Sequence, residues 1–150
     1  GENVRYDAKN CLQPKVKHLV DTQQAVVICP EVAGGLSTPR YPAEIIDGDG
    51  VAVLQGLAKV IDSQGIDVTR EFILGANKTL ELAQHYQVTH IILKANSPSC
   101  GSQMIYDGSF SNQKIAGKGV TVALLEQHGF TVMTQDEFLQ QLSSPKTTQK

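Results

Sequence analysis

The sequence contains no Trp, and Phe, Tyr and Trp together make up only 5% of its 150 residues. A platform that stacks bases on exposed rings is therefore not expected. Charge of one sign is also missing: 13 Lys and Arg stand against 15 Asp and Glu, for a net charge of −2. Without a basic excess, neither nucleic acid nor an anionic membrane surface is the expected partner. No apolar run approaches the ~18 residues that a membrane span requires, and no charged-then-apolar leader is read at the start. Three cysteines are too few, and odd in number, for a disulfide scaffold. They point to a cytoplasmic, reducing setting and to thiols kept for chemistry or packing. What remains is 41% hydrophobic residues and 13 Gly. That composition suits a single domain over residues 1–142, with a polar tail at 143–150.

Hydrophobic patterning places the elements. Leu12 to Val20 reads as a short helix with Pro14 near its start and Val16, Leu19 and Val20 on one face. Ala25 to Cys29 is a β-branched run stopped by Pro30, the signature of a strand buried on both faces. Glu31 to Gly50 is a long Gly- and Pro-containing loop, with at most a helical turn near Ala43 to Ile46. Val51 to Leu54 and Leu57 to Ile61 suggest a small hairpin. Thr69 to Tyr86 is the main helix, with Phe72, Ala76, Leu80 and Ala83 as its apolar stripe and Asp67 or Thr69 as its cap. His90 to Lys94 is a second buried strand, and Ala95 to Gly119 a second long loop. Val120 to His128 is a helix stopped by Gly129, Phe130 to Met133 a third strand, and Thr134 the cap of a last helix bearing Phe138, Leu139 and Leu142. Strands alternating with helices predict an α/β fold: a three-layer, Rossmann-like parallel sheet with helices on both faces.

In such folds ligands bind beyond the carboxyl ends of the strands. Both long loops begin there, and each carries a cysteine. Cys29 ends the first strand, and Cys100 follows the second. The topology thus predicts that the two thiols converge, against the simpler reading of a buried strand Cys and an incidental loop thiol. The turn Asn96-Ser97-Pro98-Ser99-Cys100-Gly101-Ser102 should expose consecutive N–H groups able to stabilise a thiolate, a cluster sulfide or an anion. Cys29-Pro30-Glu31 puts a carboxylate close to a thiol, where it can position or deprotonate water. Structural zinc takes four ligands and catalytic zinc three. Cys11 lacks flanks that mark a ligand, and none of His18, His85, His90 and His128 pairs at metal spacing. By residues alone, the site is short of a ligand.

The words Gly1-Glu2-Asn3-Val4-Arg5-Tyr6-Asp7, Cys29-Pro30-Glu31, Gly34-Gly35-Leu36-Ser37-Thr38-Pro39-Arg40, Ser97-Pro98-Ser99-Cys100-Gly101-Ser102 and Ile105-Tyr106-Asp107-Gly108-Ser109-Phe110 occur in this order. In them the chain resembles the DUF523 family, whose characterised branch is the thiouracil desulfidases. The resemblance runs from Gly1 to Thr134. It implies one α/β domain that holds a four-iron four-sulfur cluster on three cysteines, with one iron open to a substrate sulfur. It also implies non-redox removal of sulfur from a small thiolated substrate, such as the pyrimidine 2-thiouracil. Cys29 and Cys100 match two cluster cysteines. The third normally lies in a Ser-Ala-Cys-Leu-Leu-Gly segment whose Gly corresponds to Gly1, so the resemblance places that cysteine and its strand before residue 1. A chain without them is expected to hold little iron after aerobic purification, to be poorly active, and to expose a sheet edge that could pair with a second copy. Glu31 is the first candidate for the base and Glu44 the second, each weighed against a plain role in capping loop N–H groups. Ser97 is a further catalytic candidate. Arg40, Ser99, Gly101, Ser102, Tyr106 and Asp107 are candidates for binding substrate, with Arg40 alternatively pairing Asp47 or Asp49. The pattern departs from the family at Ala8, where Gly is usual, and at Asn96, where a charge is common.

Two other classes compete. One is a non-catalytic domain that binds a small molecule or anion on its Ser- and Gly-containing loops. The other is a hydrolase with Cys100 as nucleophile, weakened by the absence of His from both long loops.

Overall fold

The computed structural model describes residues 14–143. Its elements are α1 (Pro14–Asp21), α2 (Pro30–Ala33), β1 (Ala43–Ile46), α3 (Gly50–Leu54), β2 (Lys59–Asp62), α4 (Thr69–Tyr86), β3 (Ile91–Leu93), β4 (Met104–Tyr106), β5 (Lys114–Ala116), α5 (Val120–Gln127), β6 (Val132–Thr134) and α6 (Gln135–Ser143). The expectations for Gly1 to Asp7, Cys11 and the tail beyond Ser143 lie outside the described residues. No helix among the described residues is long and apolar enough to cross a membrane.

The central helix α4 has the bounds its periodicity predicts. Phe72, Ala76, Leu80 and Ala83 are all buried, as spacings of three and four residues require. Burying a side chain such as Phe72 contributes roughly 1.5–3 kcal/mol. The Asp67 carboxylate accepts the Thr69 N–H at 2.9 Å, and the Thr69 hydroxyl accepts the Val60 N–H at 2.9 Å, tying α4 to β2. Helix α5 is buried over Val120 to Leu125 and packs against α4 and α3, as a helix apolar on every side must. Gly129 follows it at φ +86°, a left-handed stop that glycine makes without strain. Helix α6 opens on a reciprocal cap. The Thr134 hydroxyl accepts the Glu137 N–H at 3.1 Å, and the Glu137 carboxylate accepts the Thr134 N–H at 2.9 Å.

The sheet departs from expectation. The described strands form three separate pairs: β1 with β2 antiparallel, β3 with β6 parallel, and β4 with β5 antiparallel. The chain is α/β, but a three-layer parallel sheet is not what these pairs build. Ala43 to Ile46 is a strand and not a helical turn, because it finds Lys59 to Asp62 as a ladder partner. Val51 to Leu54 is helical and not half of a hairpin, because the Asp49 carboxylate caps the Ala52 N–H at 3.2 Å. Ala25 to Cys29 joins no ladder among the described residues, and Val26 and Val27 are 46% and 49% exposed. A β-branched run becomes a strand only where a neighbour supplies hydrogen bonds. The second long loop also folds back on itself, as the hairpin β4–β5.

Candidate functional site

Cys29 stands just ahead of α2 in extended backbone (φ −103°, ψ 111°), and its carbonyl accepts the Ala33 N–H at 2.9 Å. Pro30 takes the first helical position, where a missing N–H costs nothing. Glu31 follows in that first turn. The short helix lies directly on α4. A methyl group at Gly34 would sit 1.9 Å from the Glu71 carbonyl oxygen, and one at Gly75 would sit 1.8 Å from the Pro30 carbonyl oxygen. Only a residue without Cβ lets the two backbones approach this closely.

Cys100 is held by a different helix. The Ser97 hydroxyl accepts the Cys100 N–H at 2.7 Å, and the Ser97 carbonyl accepts the Gly101 N–H at 2.9 Å. Ser99 is buried and pairs its hydroxyl with that of Thr121 at 2.7 Å. The Pro98 and Ser99 carbonyls accept the Val120 and Thr121 N–H groups at 2.8 and 2.9 Å. The turn is thereby welded to the start of α5, satisfying donors that a helix N-terminus leaves open. Gly119 lies so close that a methyl group there would be 2.4 Å from the Ser99 carbonyl.

The two turns meet. Burial pushes the Cys100 thiol up to about 12; the neighbouring Glu31 carboxylate and the Cys29 thiol act in the same direction, and the Ser99 and Ser97 hydroxyls oppose them. Burial also raises Glu31 above the usual carboxylate range, against the pull of the Arg40 guanidinium and, more weakly, the Lys94 ammonium. The Arg40 Nε lies 3.4 Å from a Glu31 carboxylate oxygen. Its terminal nitrogen donates to the Ser37 carbonyl at 3.1 Å and the Thr38 hydroxyl at 3.2 Å. The expected partners Asp47 and Asp49 are thus replaced by Glu31. A cleft beside this pair is lined by Glu31, Ser37, Arg40, Tyr41 and Asp62.

The remaining candidates gather at the β4–β5 hairpin. Glu44, only 9% exposed, accepts the Gly108 N–H at 2.9 Å and the Phe110 N–H at 3.2 Å on one carboxylate oxygen. Asp107 accepts the Ser109 N–H at 2.9 Å and the Ser109 hydroxyl at 2.5 Å, which hold its carboxyl below the usual range. The Tyr106 ring faces the Lys114 ammonium, 5.8 Å from its centroid. Gly101 is buried against the Met104 carbonyl, and Ser102 is half-buried. Sequence reasoning missed Lys94 and Tyr41. Lys94 had a readable signal, since it is the first charged residue after β3; Tyr41 is an exposed ring beside Arg40 in a loop.

Cys29 and Cys100 are two soft thiol donors from distant parts of the chain, of the kind that iron–sulfur centres use. Among the described residues, no group of three or more His, Cys, Asp and Glu is arranged to hold a metal ion. The donor chemistry fits a thiolate-bound cluster, and the two cysteines are the part of it that the described residues supply.

Comparisons with known proteins place the chain. The profile of the 2-thiouracil desulfurase family matches residues 1–137. The uncharacterized protein YbbK of Bacillus subtilis (strain 168) is 50% identical over 137 residues, which is 91% of this chain and 91% of that protein. The solved structure of the [4Fe-4S]-dependent thiouracil desulfidase TudS superposes with a TM-score of 0.80 at 39% identity, covering 93% of this chain and 87% of TudS. With a profile match that spans both cysteine turns, the chain belongs to the 2-thiouracil desulfurase family, DUF523.

Proposed function

We propose that the protein removes sulfur from a small thiolated pyrimidine such as 2-thiouracil, without net redox change, at a site built on Cys29 and Cys100. The observation that carries this reading is a family profile that covers both cysteine turns, turns that the fold anchors on the two packed helices α4 and α5. Cys29 and Cys100 would hold a four-iron four-sulfur cluster together with a further cysteine. When bound, the cluster supplies a Lewis-acidic iron that draws electron density from a thiocarbonyl.

The chain's own residues account for the rest. Glu31 accepts a proton from water, and the oxygen bonds to the ring carbon of the C=S group. The C–S bond breaks with its electron pair on sulfur, the second water proton leaves with it as hydrosulfide, and a carbonyl replaces the thiocarbonyl, so no electrons are supplied or removed. Arg40 holds the Glu31 carboxylate ready, and Lys94 adds positive field. Ser97 and Ser99 fix the Cys100 turn, and Ser97 is close enough to the thiol to act on the sulfur side. Ser102, Gly101, Tyr106 and Asp107 shape the approach from the hairpin side. Burial that raises the Cys100 thiol speaks against its use as a free nucleophile, which needs a depressed value.

The test is anaerobic reconstitution of the protein with iron and sulfide, followed by measurement of iron content and of sulfide released from 2-thiouracil. Cys29→Ser and Cys100→Ser should lose iron and turnover together. Glu31→Gln should keep its iron and lose roughly 10²–10⁴ in turnover, the usual worth of a general base. Full iron loading with no sulfide from any thiolated pyrimidine would overturn the reading.

A further inference from the structure

We propose that the contact between Gly34 and Gly75 is a positioning device, which sets where the Cys29–Glu31 turn stands relative to Cys100. The inference rests on the two-thiol reading above and adds residues that touch neither substrate nor metal.

Neither glycine is needed for its backbone torsions. Gly34 has φ −77° and ψ −3°, which any residue adopts. Gly75 lies in the middle of α4, where glycine is worse than alanine by about 1 kcal/mol. Space is the reason both are glycine. The atoms that a methyl group would meet are backbone carbonyls, Glu71 O at 1.9 Å and Pro30 O at 1.8 Å. A flexible side chain could swing aside, but a carbonyl moves only with its helix. Restoring an ordinary separation at Gly75 requires α2 to retreat by about 1.5 Å. Cys29 is the residue that caps α2, and Glu31 lies in its first turn, so both move with it.

Cys100 does not follow. Its turn is pinned to α5 by the Ser99–Thr121 hydroxyl pair and by Gly119. Gly119 also has torsions open to any residue (φ −69°, ψ 167°) and is likewise glycine for space. Helices α4 and α5 pack on one another. Moving α2 on α4 therefore changes the spacing between the two thiols without disturbing Cys100 itself. Misplacement of about 1 Å at a reacting centre can cost 10²-fold.

The test uses the metal-free chain in a Cys11→Ser background, with cadmium ion as the probe and its thiolate charge-transfer absorption as the readout. The parent chain should bind cadmium with the band of two thiolates, and Cys29→Ser should show the band of one. Gly75→Ala and Gly34→Ala should each weaken cadmium binding at least tenfold and reduce the band toward one thiolate. The double variant should be little worse than either single change, because both act through the same displacement. A lower melting temperature with cadmium affinity and band intact would mean that the glycines only pack, which overturns the proposal. A one-thiolate band in the parent chain would sink it together with the functional reading. Two-thiolate binding that is lost in Gly75→Ala, in a protein whose iron-loaded form releases no sulfide from any thiolated pyrimidine, upholds the positioning and rejects the desulfidase. If both variants unfold, the parent chain decides. Cadmium should then slow amide exchange at Gly34, whose N–H donates to the Pro30 carbonyl at 2.9 Å, more than at the remote turn glycine Gly65. Equal slowing overturns the proposal.

Discussion

Replacing Glu44 separates a catalytic carboxylate from a structural one. Its carboxylate is nearly buried and takes two backbone N–H groups, from Gly108 and Phe110, on a single oxygen. Hydrogen bonds to a charged acceptor are worth roughly 1.5–3 kcal/mol each. Phe110 is partly exposed, so its amide regains water when the acceptor is removed, and the low end applies. Glu44→Ala should therefore cost about 3 kcal/mol. For a chain of this size, that lowers the melting temperature by roughly 6–12 °C. Glu44→Gln keeps an acceptor but loses the charge, which roughly halves the bond strength. Its cost should be about 1.5 kcal/mol, or roughly 3–6 °C. Calorimetry on the purified variants gives these shifts, and sulfide release from 2-thiouracil gives turnover. If Glu44 is a clamp on the hairpin turn, Glu44→Gln loses stability and keeps most of its turnover. Should Glu44→Gln instead melt with the parent protein and lose turnover by 10² or more, the clamp reasoning fails and Glu44 belongs to the chemistry.

Three further outcomes follow from individual contacts. Ser99→Ala strands the Thr121 hydroxyl in a fully buried position; the loss should be about 1–3 kcal/mol by chemical denaturation, with an unchanged denaturant slope. Thr134→Ala removes one arm of the reciprocal cap on α6 and should cost about 1 kcal/mol, with the loss of protection confined to α6 in amide exchange. Asp67 is held below the ordinary carboxylate range by its bonds from Thr69. A depressed folded value means that its stabilisation is full above the unfolded value and fades as pH falls toward the folded one. Asp67→Ala should accordingly be less stable than the parent near neutral pH, and the two melting curves should converge below about pH 4.

The parts of the fold that were legible in the sequence are those that local rules decide. The run of α4 followed from the apolar stripe between Phe72 and Ala83, and the start of α6 from Thr134 ahead of Phe138, Leu139 and Leu142. Ala43 to Ile46 was misread because four residues cannot distinguish a period of 3.6 from one of 2. Its identity as a strand depends on a partner beyond an intervening helix. Val51 to Leu54 was misread on β-branched content, although Asp49 ahead of it was a readable cap signal. The convergence of Cys29 and Cys100 was expected from loops that begin at the ends of parallel strands, and the described strands build no such sheet. Helices α4 and α5, and not a shared parallel sheet, carry the two turns. The pairing of Arg40 with Glu31 and the engagement of Glu44 by the hairpin were not legible, because each joins residues that only tertiary packing brings together.

The glycine contact of α2 on α4 also bears on when the site comes into being. Helix α4 is local and can form early, because its hydrogen bonds join near neighbours in the chain. The contact of Gly34 with Gly75, and the meeting of Cys29 with Cys100, close much longer loops. Their entropy must be met by the packing of the core before either contact contributes. The thiols therefore come together after α4 has formed, with the packing of the core. A metal offered to the unfolded chain meets scattered thiols, whereas one offered to the folded protein meets thiols that the packing of α4 and α5 has already placed. The order in which protein and metal are combined becomes a controlling variable in how much correctly loaded protein is obtained.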